Sequence, residues 1–140
     1  YELLSCSPEL FFTFAVNPVG EHTLITKPIK GTMPRFSDPV LDLQSKQALQ
    51  QSEKDQAENV MIVDLLRNDL SVYAETGSVK TPKLFTIESF NQVHHMVSEV
   101  TATLKDDVNP FAMLLSALPE NATGDRLPTV ADYFPAEGVR

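Results

Sequence analysis

Lys30 lies in the string PIKGT at 28–32, directly after a run of β-branched residues that predicts a strand. A lysine held at a rigid strand end and partly desolvated can act as a nucleophile or a base. The neighbouring Gly31 would let a ligand come close to the backbone, and we assign Gly31 and Thr32 to substrate binding. The spacing alone favours a simpler interpretation, a solvated lysine in a tight turn.

Three carboxylates could serve acid, base or metal chemistry. Glu9 shares one face of a predicted strand with apolar residues such as Phe11, which would suit a general acid. Asp55 and Glu58 are three residues apart in the first turns of a predicted helix and therefore share a face, as a pair of Mg²⁺ ligands would. Both patterns have structural alternatives, since strand-edge charges are common and acids in a first turn complement the helix dipole in any protein.

Two adjacent histidines differ in their expected surroundings. Strand alternation places His94 with Met96 and Val100 on the apolar side, where we expect a hydrogen-bonded core histidine. His95 shares a mixed face with Glu99 and is the better candidate for proton transfer or substrate binding.

A polar cluster lies within an otherwise apolar helical segment and comprises Asp64, Arg67, Asn68 and Asp69. We expect salt bridges and hydrogen bonds inside the chain from it rather than catalysis. Cys6 has no activating neighbour and receives no role.

The elements that position these residues follow from periodicity, caps and breakers. The predicted order is strands at 9–15 and 22–29, a loop at 30–34, helices at 39–51 and from the cap Ser52 to 71, strands at 79–88 and 92–104, and a short helix capped by Asn109. The residues expected to face inward are Val40, Leu43 and Leu49 on the first helix and Met61, Ile62, Leu65, Leu66 and Leu70 on the second. The strands and helices are segregated along the chain, which favours an α+β fold over a doubly wound sheet.

Charge and composition exclude several classes of function. Eleven Lys and Arg against nineteen Asp and Glu give a net charge of −8. That balance argues against nucleic acid or an anionic membrane surface as the main partner. A single cysteine excludes an internal disulfide framework and fits a reducing cytoplasm, where we expect the protein. No apolar stretch reaches membrane-spanning length, and the start lacks the pattern of a signal peptide.

The order of the motifs resembles that of the chorismate-utilising enzymes, a family that includes anthranilate, aminodeoxychorismate and isochorismate synthases. The motifs that carry the resemblance are SPE at 7–9, PIKGT at 28–32, KDQAEN at 54–59, MIVDLLRNDL at 61–70, GSV at 77–79 and VHHMVS at 93–98. Together they extend from about residue 5 to residue 118. The resemblance implies part of that family's fold, with antiparallel sheet layers and helices packed on them.

The resemblance also implies roles for the candidate residues. Glu58 matches a Mg²⁺ ligand, with Asp55 as a further metal partner, and His95 matches a histidine close to the substrate ring. Lys30 is typical of the aminodeoxychorismate synthases, whereas anthranilate synthases carry alanine there. In the lysine subgroup this residue attacks chorismate and expels the 4-hydroxyl, with the glutamate corresponding to Glu9 as general acid. Ammonia from a glutamine amidotransferase subunit then releases the lysine.

The sequence also departs from the family pattern. The family string NDLGR is replaced by NDLSV at 68–72, and similarity ends near residue 120. We therefore predict a partial chorismate-binding catalytic domain at 1–118, a divergent and irregular tail at 119–140, and a chain that is a central fragment. Two alternatives stay open: an anthranilate or isochorismate type of relative, and a truncated remnant without catalytic activity.

Overall fold

A computed structural model describes residues 2, 4 and 8–116 of the chain. The elements are β1 (Leu10–Val16), β2 (His22–Lys27), β3 (Ile29–Pro34), α1 (Pro39–Gln50), α2 (Glu53–Ser71), β4 (Lys80–Ser89), β5 (Val93–Thr103) and α3 (Pro110–Ser116). Contacts divide the chain into two compact units, Tyr1–Lys105 and Asp106–Arg140, and α3 belongs to the second. The mixture of antiparallel strands and helices confirms the α+β prediction.

The five strands form one antiparallel sheet in which β5 is the central member. Strands β2 and β3 follow each other along one edge of β5, with Thr26 opposite Val100 and Ile29 opposite Val97. Strand β4 pairs with the other edge of β5, and β1 pairs with β2. The residue between β2 and β3 is Pro28, whose carbonyl accepts a hydrogen bond from the Ser98 amide at 3.1 Å.

The two longer helices begin at the residues that the sequence indicates. Asp38 caps α1 by accepting hydrogen bonds from the amides of Val40 and Leu41, at 2.8 and 3.3 Å. Ser52 caps α2 by accepting from the Asp55 amide at 3.3 Å. Such caps satisfy amides that have no partner inside the helix.

The core of the first unit lies where α1 and α2 cover the sheet. Its most buried apolar side chains include Leu24, Leu49, Val63, Leu70, Met96 and Val100. These residues come from both helices and from β2 and β5, so the core fixes the helices relative to the strands that carry the candidate site. Burial of this apolar surface is the main source of stability for the arrangement.

The predicted loop at 30–34 is wrong, because these residues belong to strand β3. Gly31 and Pro34 have the local properties of breakers, but the strand pairs with β5 despite both. Gly31 falls at a register shift between Ile29 and Thr32. Pro34 is the last residue of an edge strand, where a missing N–H is tolerated.

The expected inward faces of the helices are correct only in part. Leu49 and Leu70 are buried as predicted, and Ile62 and Leu66 are partly buried. The other residues predicted to face inward are more than half exposed: Val40, Leu43, Met61 and Leu65. Each helix contacts the sheet along a narrow face, which is lined by the buried residues Ser45, Leu49, Asn59, Val63 and Leu70. Cys6 and the predicted tail at 119–140 lie outside the described residues.

Candidate functional site

Strand β3 brings the candidate lysine next to helix α2. The Nζ atom of Lys30 lies 3.8 Å from Oε2 of Glu58, and both side chains are nearly half exposed. This ion pair joins a residue predicted to be the nucleophile to one predicted to be a metal ligand. An exposed pair of this kind contributes little to stability, so its interest lies in placing the amine beside a carboxylate.

A bulge in β3 shapes the backbone at this position. Ile29 is opposite Val97 and Thr32 is opposite His95, so three steps along β3 match two steps along β5. Gly31, inside the bulge, has a φ of +105° that other residues rarely adopt. Bulges bend a strand and redirect its side chains, and they are common next to active sites.

Gly31 also lets α2 approach the strand closely. A Cβ atom at this position would lie 3.0 Å from the Cβ of Asp55 and 3.0 Å from a terminal methyl of Leu49. The space beside Gly31 is therefore occupied by α2, through Asp55, and by α1, through Leu49. The glycine thus holds the predicted acidic pair close to the lysine.

The adjacent Thr32 contacts the candidate histidine across the strands. Its Oγ1 lies 2.9 Å from Nδ1 of His95. On its other side the His95 ring is near the Phe90 ring, with centroids 5.5 Å apart. These two contacts fix the orientation of the imidazole and leave Nε2 as its remaining polar atom.

Glu9 lies one residue before β1 rather than within it as predicted. Its Oε1 accepts a hydrogen bond from the Ile29 amide at 2.8 Å. The contact holds the carboxylate beside the residue that precedes Lys30. Lys30, Gly31, Thr32, Glu9, Asp55, Glu58 and His95 are therefore all held at or against strand β3.

His94 is the buried core histidine that strand alternation predicts, with an exposed fraction of 1%. Its Nδ1 is 2.7 Å from the Ser89 hydroxyl, and its Nε2 is 3.0 Å from Oδ1 of Asp42. Both ring nitrogens have partners, which accounts for its burial without a catalytic role.

Asp42 joins this histidine to an arginine that sequence analysis did not single out. The Arg35 Nε donates to both carboxylate oxygens of Asp42, at 2.8 and 3.1 Å, and the Phe36 amide donates at 3.0 Å. The bonds from Arg35 and Phe36 lower the pKa of Asp42 to about 2. Arg35 also donates to the Phe90 carbonyl at 2.8 Å, so the network supports the turn that carries the ring beside His95.

The candidate magnesium residues form a pair and not a complete set of ligands. Among the described residues there is no group of three or more His, Cys, Asp and Glu that could hold a metal ion. Asp55 and Glu58 fit the way Mg²⁺ is often held, by one or two carboxylates with water and substrate oxygens completing the shell. The two carboxylates therefore suit a Mg²⁺ site in which other oxygen atoms complete the coordination shell.

The predicted internal salt bridge within the polar cluster of α2 is present. Arg67 NH1 lies 3.6 Å from Oδ1 of Asp64. Sequence analysis quoted Asn59 and Ser98 in motifs without giving either residue a role. Both are fully buried polar residues. Their signal in the sequence is slight: Asn59 directly follows Glu58, at a position where an apolar residue would fit the helical stripe.

Comparisons with known proteins show which family and fold this chain is similar to. Residues 1–125 match the model of the family described as chorismate binding enzyme. The chain is 48% identical over 117 residues to the aminodeoxychorismate synthase component 1 of Salmonella typhimurium, covering 84% of this chain and 25% of that protein. The chain thus spans about a quarter of the length of the curated relatives it matches.

Solved structures show the same fold. The anthranilate synthase component I of Streptococcus pneumoniae matches with a TM-score of 0.56 and 28% identity, over 87% of this chain and 25% of that one. The menaquinone-specific isochorismate synthase of Escherichia coli matches with a TM-score of 0.66 and 20% identity, over 91% of this chain and 27% of that one.

Among the described residues, none of the helices has the length and apolar character needed to cross a membrane.

Proposed function

This chain belongs to the family of chorismate binding enzymes, and we propose that the protein containing it aminates chorismate to 4-amino-4-deoxychorismate, with Lys30 as the nucleophile. One observation carries the proposal. The Lys30 amine lies 3.8 Å from the Glu58 carboxylate, and Glu9 is bound to the amide of the residue just before Lys30. Glu58 is thus a group beside the amine that can take its proton, and Glu9, held at the neighbouring residue, is the candidate to supply one to the substrate.

The proposed reaction has two displacement steps. In the first, the unprotonated Lys30 amine forms a bond to the chorismate ring, the bond to the 4-hydroxyl breaks, and Glu9 donates the proton with which that oxygen leaves as water. In the second, ammonia forms a bond to the ring, and the bond to Lys30 breaks. No electrons are exchanged with an oxidant or reductant in either step.

The ion pair with Glu58 sets a condition on the first step. An ammonium group has no lone pair, so the Lys30 amine must lose its proton before it can attack. Glu58 forms an ion pair with this amine, and it could accept the proton or let go of the amine when the carboxylate takes on another partner. The half-exposed state of both side chains leaves room for this change.

Thr32 and His95 would orient the substrate. The hydrogen bond between them presents the histidine ring beside the strand that carries Lys30, and Gly31 and Thr32 remain our candidates for substrate contacts. Asp55 and Glu58 would hold Mg²⁺, which would neutralise a carboxylate of the substrate when bound. The ammonia would come from a glutamine amidotransferase subunit, in a cytoplasmic pathway toward 4-aminobenzoate and folate.

The test compares products from chorismate, ammonium and Mg²⁺ by mass spectrometry. We expect aminodeoxychorismate from the unaltered protein, none from Lys30→Ala, and unchanged product from the control Lys46→Ala on α1. Anthranilate or isochorismate as the main product would overturn the proposal in favour of the other branches of the family. If neither the unaltered protein nor Lys46→Ala consumes chorismate, the proposal is also overturned, and a remnant without activity is favoured.

A further inference from the structure

Two fully buried polar residues, Asn59 on α2 and Ser98 on β5, meet in the core beneath the lysine. The Ser98 hydroxyl donates to Oδ1 of Asn59 at 2.6 Å. The Asn59 amide nitrogen donates to the carbonyl of Met96 at 3.2 Å and lies 3.5 Å from the carbonyl of Lys30. Burying polar groups is unfavourable unless they are hydrogen-bonded, and this pair satisfies that condition.

The pair lies between two bulges, one on each side of β5. On the β3 side, the register shift between Ile29 and Thr32 removes the Lys30 carbonyl from the regular ladder, and the Asn59 amide lies against it. On the β4 side, the register shifts between Lys83 and Thr86. There the Phe85 amide donates to the Ser98 hydroxyl at 3.1 Å, and Phe85 has a φ of +56°.

Each bulge therefore leaves a backbone group without its usual partner, and the same side-chain pair lies against both. A single hydroxyl accepts from β4 and donates to Asn59, and Asn59 reaches the backbone of Lys30. Asn59 also directly follows Glu58 in α2. The Asn59 side chain thus connects the backbone of Lys30 with the helix segment that carries Glu58, and these are the two residues of the ion pair.

We propose that Asn59 and Ser98 are positioning residues that set the spacing between the Lys30 amine and the Glu58 carboxylate. They touch no reacting atom and act only through the β3 bulge and helix α2. The inference deepens the proposed function and rests on it for its importance to catalysis. The spacing itself can be tested without chorismate.

The test is a double-mutant cycle that measures how strongly Glu58 changes the reactivity of the Lys30 amine. The readout is the rate at which acetic anhydride modifies Lys30, relative to Lys80, followed by mass spectrometry of peptides from the 140-residue chain. A nearby carboxylate stabilises the ammonium form, which does not react. Glu58→Gln should therefore speed the modification of Lys30 by about two- to fivefold, the range expected for an exposed ion pair.

The proposal predicts that Ser98→Ala reduces this Glu58→Gln effect to less than about 1.5-fold, because the amine and the carboxylate are no longer held at their distance. The matched control is Ser45→Ala. Ser45 is also buried, and its hydroxyl donates at 2.7 Å to the carbonyl of Pro34, at the other end of β3. In this control the Glu58→Gln effect should stay at its original size, although a buried hydrogen bond is lost in both variants.

An unchanged Glu58→Gln effect in Ser98→Ala would overturn the proposal, and so would an equal loss in Ser45→Ala. If Ser98→Ala shows no cooperative unfolding, the same cycle in Ser98→Cys decides, because the thiol is close in size and keeps a weak donor. The expected Glu58→Gln effect in Ser98→Cys lies between its sizes in the unaltered chain and in Ser98→Ala, and Asn59→Ala, run in parallel, should also reduce it. A chain that shows the predicted cycle but forms no aminodeoxychorismate would contradict the proposed function and leave the positioning role intact.

Discussion

Gly31→Ala should be far more disruptive than its single added methyl group suggests. The backbone at Gly31 has a φ of +105°, and forcing an L side chain into a left-handed region costs about 1–2 kcal/mol. The new Cβ would also lie 3.0 Å from the Cβ of Asp55, which is fixed to a helix, and 3.0 Å from a methyl of the buried Leu49. Overpacking of this kind costs about 1–3 kcal/mol. The sum is a loss of about 2–5 kcal/mol in the free energy of unfolding.

Gly77→Ala is the matched control for the backbone contribution. Gly77 has a φ of +77°, and a Cβ there would meet nothing within 4 Å. Its substitution should cost about 1–2 kcal/mol, so the difference between the variants isolates the contacts with Asp55 and Leu49. Urea unfolding followed by far-ultraviolet circular dichroism measures both, since the chain has no tryptophan to report by fluorescence. Equal losses in the two variants would refute the close approach of Asp55 to β3.

Three further substitutions test other parts of the structure. Because hydrogen bonds from Arg35 lower the pKa of Asp42 to about 2, its carboxylate stabilises the fold above the unfolded value of 3.8 and loses that effect as the pH falls toward 2. Unfolding curves of the unaltered chain and Asp42→Asn should therefore differ at pH 5 and converge toward pH 2. Thr32→Val removes the hydrogen bond to His95 and should lower the rate of chorismate consumption about two- to tenfold, with little change in thermal unfolding. Asp38→Ala removes the α1 cap and should lower the free energy of unfolding by about 1 kcal/mol in urea.

The helices were predictable from the sequence because their signals are local. The sequence predicts a first helix from residue 39 and a second one capped by Ser52, and the structure begins α1 and α2 there. Strand β5 was also predictable, since alternation alone separates the buried His94 from the more exposed His95.

Strand β3 was not predictable, because its pairing partners in β5 lie about 60 residues or more away in the sequence. Gly31 and Pro34 have the local properties of breakers, and only pairing with β5 turns them into a bulge and a strand end. The exposed apolar residues on the helices, Val40 and Met61 among them, show a related limit. Helical periodicity indicates which residues share a face, but it does not indicate which part of that face another element covers.

The candidate site was predictable as a set of residue types and not as a geometry. The motifs identified Lys30, Glu9 and Glu58, whereas their closeness depends on contacts between distant segments. Asn59 and Ser98 received no role for the same reason. A buried asparagine has no distinctive sequence signal until its partner on another strand is known.

The central claim is that Lys30 forms a covalent bond to the substrate ring. The most direct measurement incubates the protein with chorismate and Mg²⁺ in the absence of ammonia, digests it, and determines the mass of the peptide containing Lys30. The proposed mechanism predicts that this peptide gains the mass of chorismate less one water, and that added ammonium removes the gain while aminodeoxychorismate appears. Formation of aminodeoxychorismate with the Lys30 peptide unmodified throughout, or with the added mass on another residue, would contradict it.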